Sequence, residues 1–315
     1  MKIKSLRMVE HFLAASRVGS FHAAAGEIGV TQTAITKSIR ELENTLGTPL
    51  FERSVKGVQL TKFGEQFKRR AIQIEQQSNY LERELSEMIA GKAGRLRIGA
   101  GTVWSDVFLP KFLASFCKER PNVEFVVRRS VGSRFRNLLE EGEIDLGVGL
   151  EPSPDDLSPD LVFDPIAKID TMFLVRKGHP LTRNPSAGLN EIVANSWAMY
   201  RLDTIIFDRV RQMFLDEGLT LSAPSFHADS TASIMSFVAQ TNHITCLPAP
   251  MLPMARLFNL TAISNVEGPS FQSGAVYMSA AADYPLMKEI LSGLKLFTVD
   301  SMATRLSADK VDNKT

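Results

Sequence analysis

The chain has 315 residues, of which 44% are hydrophobic and 23% are charged, a composition typical of a globular protein with two or three domains. No apolar stretch approaches the ~18–20 residues needed to span a bilayer, and the charged N-terminus, MKIKSLRMVEHF, lacks the apolar core of a secretory signal. Composition therefore argues against membrane insertion and export, and it predicts a cytoplasmic protein.

Neither the two cysteines nor the five histidines show the spacings typical of metal ligands. Cys117 and Cys246 lie far apart in apolar or helical contexts, so buried free thiols are favoured over a redox switch. We therefore expect neither a metal site nor a cofactor.

Positive charge is concentrated in the N-terminal part of the chain. Residues 1–70 contain twelve Lys and Arg and six Asp and Glu, a net charge of +6, whereas the remainder has 24 basic and 29 acidic residues, a net charge of −5. A basic head on a mildly acidic body suits a protein whose head alone meets a polyanion.

The head shows the pattern of three short helices. Apolar residues at helical spacing predict a first helix over residues 4–17. Ser20 is placed to cap a second helix, which Gly29 ends, and Thr31 is placed to cap a third helix that runs to Gly47. Helix, glycine-containing turn and helix together form the sequence pattern of a helix-turn-helix.

The polar face of the third helix carries amide, hydroxyl and cationic groups, which suit base edges and phosphates in a major groove. A solvated helix face is the alternative explanation for the same pattern. The candidate DNA-binding residues of this region are Ser20, Thr31, Gln32, Thr33, Thr36, Lys37 and Arg40.

A two-stranded wing is predicted directly after the third helix, in TPLFERSVKGVQLT. Arg53 and Lys56 flank a turn at Gly57, and the chain returns as a short strand from Val58. Basic residues at the tip of a wing suit the sugar–phosphate backbone, so Arg53 and Lys56 complete the candidate DNA-binding set of residues 1–60.

The stretch SFHAAAGEIGVTQTAITKSIRELENTLGTPLFERSVKGVQLTKFGE resembles the winged helix-turn-helix of LysR-type transcription regulators without a gap. Thr33 stands where the family commonly has proline or serine, and Thr36 where it commonly has serine. The resemblance implies a sequence-specific regulator that binds double-stranded DNA as a homotetramer, a dimer of dimers. RNA polymerase is a further candidate partner of such a regulator.

A long linker helix is predicted over residues 61–91, since the chain has no proline there and no glycine between Gly64 and Gly91. Its length of about 45 Å, at ~1.5 Å per residue, exceeds what the small head can cover. We expect the apolar seam to form a homodimer, although the seam could instead pack along its own C-terminal domain. The seam consists of Phe67, Ala71, Ile74, Ser78, Leu81, Leu85 and Met88.

The C-terminal body, residues 92–300, alternates strands and helices, which is typical of a parallel α/β sheet. The predicted strands of its first lobe are 96–100, 123–127 and 144–148, and the predicted helices are 109–120 and 135–141. The Pro- and Asp-rich stretch 152–165 is interpreted as irregular.

A strand over residues 171–175 is predicted to cross into a second lobe. The strand 276–280 and the helix 285–297 return to the first. The first lobe would thus hold about residues 92–165 and 269–300, the second about 166–268, and the tail 301–315 would be polar and frayed.

The body resembles the effector domain of the same family, a two-lobed α/β domain like that of periplasmic solute-binding proteins. The resemblance rests on GEIDLGV, on the turn His179-Pro180-Leu181, and on a V-x-x-x-x-x-I-x-x-L-P pattern that ends at Pro248. Thr241 and His243 stand where the family often has glycines.

Ligands of such folds bind beyond the carboxyl ends of strands, in the cleft between the lobes. Hydroxyl and backbone N–H groups there favour a small organic anion, Trp104 could stack on an aromatic ring, and Arg201 could add positive charge. Helix capping by Ser130 and Ser133, and core packing of Trp104, are the alternatives. The candidate effector-binding residues are Thr102, Val103, Trp104, Ser105, Ser130, Ser133, Tyr200, Arg201, Thr204 and His227.

Enzymatic function is disfavoured because the chain lacks GxSxG, GxxxxGK[ST], HExxH and a complete GxGxxG, so no catalytic residue is predicted. A DNA-binding repressor that responds to no ligand remains an alternative. The favoured hypothesis is a regulator whose DNA-binding mode changes when an effector alters closure of the two lobes.

Overall fold

A computed structural model describes residues 3, 5–54, 57–90, 94–184, 186–200 and 204–312. Within these ranges it describes all side chains except those of residues 53–54, 80, 83–84, 86–90, 132–133, 204 and 299–312. No helix in these ranges combines the length and apolarity that a bilayer span requires.

The head consists of three helices and a two-stranded wing, as predicted, and its bounds differ from the prediction by about two residues at most. Ser20 and Thr31 cap the second and third helices by accepting hydrogen bonds from the backbone N–H groups of Ala23 and Ala34. The elements are α1 (Leu6–Val18), α2 (Phe21–Glu27), α3 (Gln32–Leu46), β1 (Phe51–Ser54) and β2 (Gly57–Leu60).

Three hydrogen bonds fix the wing to the helices. The carboxylate oxygen Oε1 of Glu43 in α3 accepts hydrogen bonds from the N–H groups of Leu50 and Phe51, at 2.8 and 3.1 Å. Val58 of β2 donates to the carbonyl of Gly19, at 2.9 Å, where α1 ends. These bonds hold the wing beside α3.

The linker helix α4 (Lys62–Ala90) packs one face against its own body. Gln76 Nε2 donates to the carbonyl of Leu139 at 3.1 Å, Gln77 Nε2 donates to that of Ala280 at 2.6 Å, and Arg70 pairs with Asp160. Packing against the same chain, which was the alternative to dimerisation, therefore covers part of the surface of this helix.

The predicted seam of α4 is divided between two environments. Its first two residues, Phe67 and Ala71, pack into the apolar cluster of the head, but Ile74, Leu81 and Leu85 remain exposed. An apolar groove of about 840 Å³ runs along this exposed part and is also lined by Leu6 of α1. Packing within one chain thus leaves Ile74, Leu81 and Leu85 of the seam uncovered.

The body contains eight strands and seven α-helices in its described residues, with a π-helical segment, Trp104–Phe108, ahead of the first helix. In chain order the elements are β3 (Arg95–Ala100), α5 (Leu109–Glu119), β4 (Glu124–Arg129), α6 (Gly132–Glu140), β5 (Leu146–Leu150), β6 (Leu161–Arg176), α7 (Leu189–Val193), β7 (Ala198–Tyr200), α8 (Thr204–Asp216), β8 (Phe226–Ala228), α9 (Thr231–Ala239), β9 (Thr245–Pro248), α10 (Leu252–Leu257), β10 (Leu260–Met278) and α11 (Pro285–Asp312).

The main sheet is mixed, with strand order β4-β3-β5-β10-β6-β9, and β7 and β8 form a second, parallel pair. The predicted parallel pairing is correct for β3 with β4 and β5. It is wrong for β10, which is antiparallel to β5 and β6, and for β6 with β9. The reason is that β6 leads out of the first lobe and β10 leads back into it, so these two strands run in opposite directions.

Three segments are more regular than the sequence predicted. Strand β6 begins at Leu161, inside the stretch interpreted as irregular, and β10 begins at Leu260 rather than near residue 276. Backbone pairing between these two strands outweighs their polar residues and Pro165, which favour a loop. Helix α11 runs to Asp312 and so enters the stretch 301–315 that was predicted to be a polar, frayed tail; residues 301–312 contain neither proline nor glycine.

Candidate functional site

The exposed face of α3 gathers the predicted DNA-binding side chains into one groove. Gln32, Thr33, Thr36, Lys37 and Arg40 line this groove together with Glu41, an acidic neighbour that sequence reasoning did not include. Thr36 is half-buried and the others are exposed. The face therefore offers amide, hydroxyl and cationic groups for base edges and phosphates.

The two remaining hydroxyl residues of the head lie at helix starts. The side-chain oxygens of Ser20 and Thr31 accept hydrogen bonds within their own helices, at 3.4 and 3.2 Å. Each hydroxyl can still donate its proton outward, and the N-terminal end of a helix favours a phosphate. Contact of Ser20 and Thr31 with DNA stays a prediction.

The wing has the predicted hairpin, with β1 and β2 paired antiparallel. The side chain of Arg53 and the whole of Lys56 lie outside the described residues. Gly57 has φ 121°, and a Cβ atom there would collide with the carbonyl oxygen of Gly19. Glycine at this position lets the wing approach the end of α1 closely.

A small cavity lies where the carboxyl ends of the first-lobe strands meet the second lobe. Its volume of about 20 Å³ leaves room for a single water molecule. In this conformation the cavity is too small for an organic molecule. The lining residues are Gly101, Thr102, Val103, Trp104, Val131, Gly149, Leu150, Ile206 and Pro248.

Three of the predicted effector-binding residues, Thr102, Val103 and Trp104, line this cavity. Trp104 is fully buried, and its indole N–H donates to Ser273 Oγ at 2.7 Å. Ser273 Oγ in turn donates to the carbonyl of Gly149 at 2.6 Å. The indole therefore packs in the core and forms a fixed wall of the cavity.

The other predicted effector-binding residues differ in their surroundings. The Ser130 hydroxyl is buried and has no hydrogen-bond partner among the described residues, whereas Ser105 Oγ lies 2.8 Å from Asp106 Oδ1. His227 is exposed in β8 and does not line the cavity. Arg201, and the side chains of Ser133 and Thr204, lie outside the described residues.

The last predicted residue, Tyr200, belongs to a hydrogen-bonded cluster that sequence reasoning missed. Arg129, at the end of β4, pairs with Asp106 in the π-helical segment. Arg129 Nη1 also donates to the Tyr200 hydroxyl and to Thr231 Oγ1, both at 3.1 Å. Thr231 Oγ1 donates to Asp106 Oδ2 at 3.0 Å, which closes the cluster. We call these four residues the cleft ring.

The cleft ring joins the two lobes, because Asp106 and Arg129 belong to the first lobe and Tyr200 and Thr231 to the second. Partial burial lowers the pKa of Arg129, but its bonds to Tyr200 and Asp106 raise that pKa by more, so the guanidinium stays charged. The sequence offered one signal for Arg129, which is its position: it directly precedes Ser130, a predicted effector-binding residue, at the end of a strand.

The thiols and acidic groups of the body offer no comparable site. Both cysteines are free, and burial raises the pKa of the Cys246 thiol to about 12. In the part of the chain that the structure describes, no three His, Cys, Asp or Glu side chains are grouped as a metal ion would require.

Comparison with known proteins places both halves of the chain in one family. The pattern of bacterial regulatory helix-turn-helix proteins of the lysR family matches residues 6–65, and that of the LysR substrate binding domain matches residues 90–295. The transcriptional regulator GbpR of Azospirillum brasilense is 25% identical over 242 residues, which cover 76% of this chain and 70% of GbpR.

Solved structures show the same fold. ArgP from Mycobacterium tuberculosis superposes with a TM-score of 0.74 at 17% identity, over 94% of this chain and 97% of ArgP. Full-length CbnR in complex with its target DNA superposes with a TM-score of 0.54 at 18% identity, over 93% of this chain and 99% of CbnR. The chain therefore belongs to the LysR family of transcriptional regulators, with a DNA-binding helix-turn-helix domain and an effector-binding domain, and it is not an enzyme.

Proposed function

We propose that the chain reads a DNA site through α3 and the wing, and that a small organic molecule bearing a carboxylate controls this binding from the cleft. The groove on α3 carries the proposal, because six polar side chains, two of them cationic, share one exposed face. Lys37 and Arg40 would contact phosphates or guanine, and Gln32 would read a base edge.

The exposed half of the linker seam supports a homodimer. Ile74, Leu81 and Leu85 line up on one side of α4, and an uncovered apolar stripe of this length favours a second α4. Two heads joined in this way would bind a pseudo-palindromic site, and two dimers would form the proposed homotetramer. RNA polymerase remains a candidate partner, reached when the heads are bound to DNA.

The cavity between the lobes has almost no free volume, so a ligand there would have to bind an arrangement in which the lobes lie further apart. A ligand that binds an opened cleft stabilises the open arrangement by its preference for that arrangement. The linker helix bonds to the carbonyls of Leu139 and Ala280, both in the first lobe, so it would move with that lobe when the two lobes separate. A ligand-independent repressor would show none of this coupling.

The DNA half of the proposal is tested by the salt dependence of binding. Lys37→Ala and Arg40→Ala should each weaken binding to an operator fragment and reduce the slope of log K against log salt by about one. Lys111→Ala, which removes an exposed charge from α5, should leave the slope unchanged. An unaltered slope in both head variants would contradict the proposed contacts.

The effector half is tested on full-length protein with a panel of small carboxylates. A ligand of the cleft should raise the melting temperature and shift operator affinity. Thr102→Trp, which fills the cavity wall, should remove both responses while operator affinity without ligand stays unchanged. A response that persists in this variant would place the ligand elsewhere, and a chain that responds to no small molecule would favour the ligand-independent repressor.

A further inference from the structure

The charge pattern of the cleft ring points to a specific chemical class of ligand. We propose that the effector is a zwitterion, an α-amino acid or a close relative, whose carboxylate binds Arg129 and whose ammonium binds Asp106. This inference rests on the proposed function of the cleft and names its ligand. Without ligand, the two side chains bind each other.

The first argument is charge balance. The side chains of Arg129 and Asp106 are only 31% and 14% exposed, so water solvates neither group fully. A simple anion that displaced Asp106 from Arg129 would leave a half-buried carboxylate without its cation, and a simple amine would leave the guanidinium without its anion. Either loss is unfavourable. A zwitterion replaces one ion pair with two and leaves neither group unpaired.

The second argument is the supply of further hydrogen-bonding groups. The Tyr200 hydroxyl accepts from Arg129 and can donate its own proton to a carboxylate held there, whereas the Thr231 hydroxyl already donates its proton to Asp106. Ser105 Oγ and Thr231 Oγ1 flank the two oxygens of Asp106, at 2.8 and 3.0 Å, and can accept from an ammonium. The ring thus surrounds both ends of an amino acid with partners.

The third argument is the position of the ring. Val131, two residues beyond Arg129, lines the cavity, and so does Trp104, two residues before Asp106. A ligand held by the two charged groups would therefore lie close to the cavity that these residues line. The π-helical turn that carries Asp106 is an irregularity of a kind that is frequent at functional sites.

A neighbouring ion pair shows what an ordinary surface pair looks like on the same strand. Arg128 pairs with Glu143 at 2.7 Å, and the two side chains are 53% and 44% exposed. Both residues belong to the first lobe, and the ion pair that they form lies within that lobe. Arg129, the next residue on the strand, instead forms a half-buried ion pair and also bonds to residues of the second lobe. The cleft ring therefore differs from the surface pair beside it.

The test uses ligand triplets on the unaltered full-length protein. Each protein amino acid is compared with its deamino acid and its decarboxylated amine, for example phenylalanine with 3-phenylpropanoate and 2-phenylethylamine. Thermal shift and calorimetry should find at least one amino acid that binds, with both of its truncated partners about 10- to 100-fold weaker. Absence of binding by every amino acid, or equal binding of a deamino acid, overturns the proposal.

Variants then assign the two charges. Arg129→Gln and Asp106→Asn should each weaken binding of that amino acid by about tenfold or more, while the matched variants Arg128→Gln and Glu143→Gln bind it normally. Asp106→Asn should also reverse the preference, so that the deamino acid binds better than the amino acid. Normal amino-acid binding in both ring variants would overturn the assignment.

The same measurements separate this inference from the proposed function. If a ligand without an ammonium binds, and Thr102→Trp abolishes its binding, the cleft is an effector site but the zwitterion assignment is wrong. If amino acids bind as predicted but never alter operator affinity, the ligand class is right and the regulatory coupling is wrong.

Discussion

The DNA-binding groove and the cleft ring differ in how their residues are distributed along the chain. The groove lies on one helix of 15 residues, where helical periodicity alone decides which side chains share a face. In the cleft ring, Arg129 is 23 residues from Asp106, 71 from Tyr200 and 102 from Thr231. The first site is a property of local sequence, and the second exists only when the whole body is folded.

This difference extends to the forces that hold the two regions. The head packs three helices around one apolar cluster, and the side-chain hydrogen bonds between its described residues span at most 12 residues. Its longer ion pair, between Arg17 and Glu75 at 3.8 Å, joins it to the linker helix. The body depends on pairing of distant strands and on buried charge, above all on Asp145, whose side chain is 1% exposed and pairs with Arg97. Removal of a buried charged group should therefore lower the stability of the body and leave that of the head unchanged.

The largest effect is expected from Asp145→Ala. The substitution removes the acceptor of the Arg97 backbone N–H and guanidinium, at 2.7 to 3.1 Å, and should cost about 3–5 kcal/mol of unfolding free energy. Hydrogen exchange on the full chain should show lost protection in β3 and β5, with α1 to α3 unchanged. Asp155→Ala, at an exposed position, is the control. Equal loss of protection in head and body would show that the head also depends on the Asp145–Arg97 pair.

The same contrast explains what the sequence could predict. The head helices were predictable because their start and stop signals are local: Ser20 and Thr31 cap, and Gly19 and Gly47 adopt left-handed conformations. The long strands β6 and β10 were not, since partners about a hundred residues away stabilise them. Arg129 was missed for the same reason. The sequence FVVRRS is typical of the exposed end of a strand, and the partners of Arg129 are distant in the chain.

An intermediate effect is expected at the linker, which joins the two regions. Leu81 is 56% exposed and lies on the uncovered part of the seam. Leu81→Glu should raise the dimer dissociation constant by about 10- to 100-fold, because each copy would bury a charge in place of a leucine. Sedimentation velocity measures this directly. Leu257→Glu, at an exposed leucine of α10, should leave the dimer unchanged, and a dimer that survives in the Leu81 variant places the interface elsewhere.

The smallest effect concerns the two cysteines, which lie in different lobes. Burial raises the pKa of Cys246 to about 12, so almost no thiolate forms at pH 8, whereas Cys117 is only half-buried. Because the thiolate is the reactive form, a maleimide at pH 8 should label Cys117 in the folded protein and reach Cys246 only after denaturation, as mass spectrometry would show. Rapid labelling of both thiols in the folded chain would mean that the second lobe opens far more readily than its buried β9 suggests, and the body would then be the less rigid of the two regions.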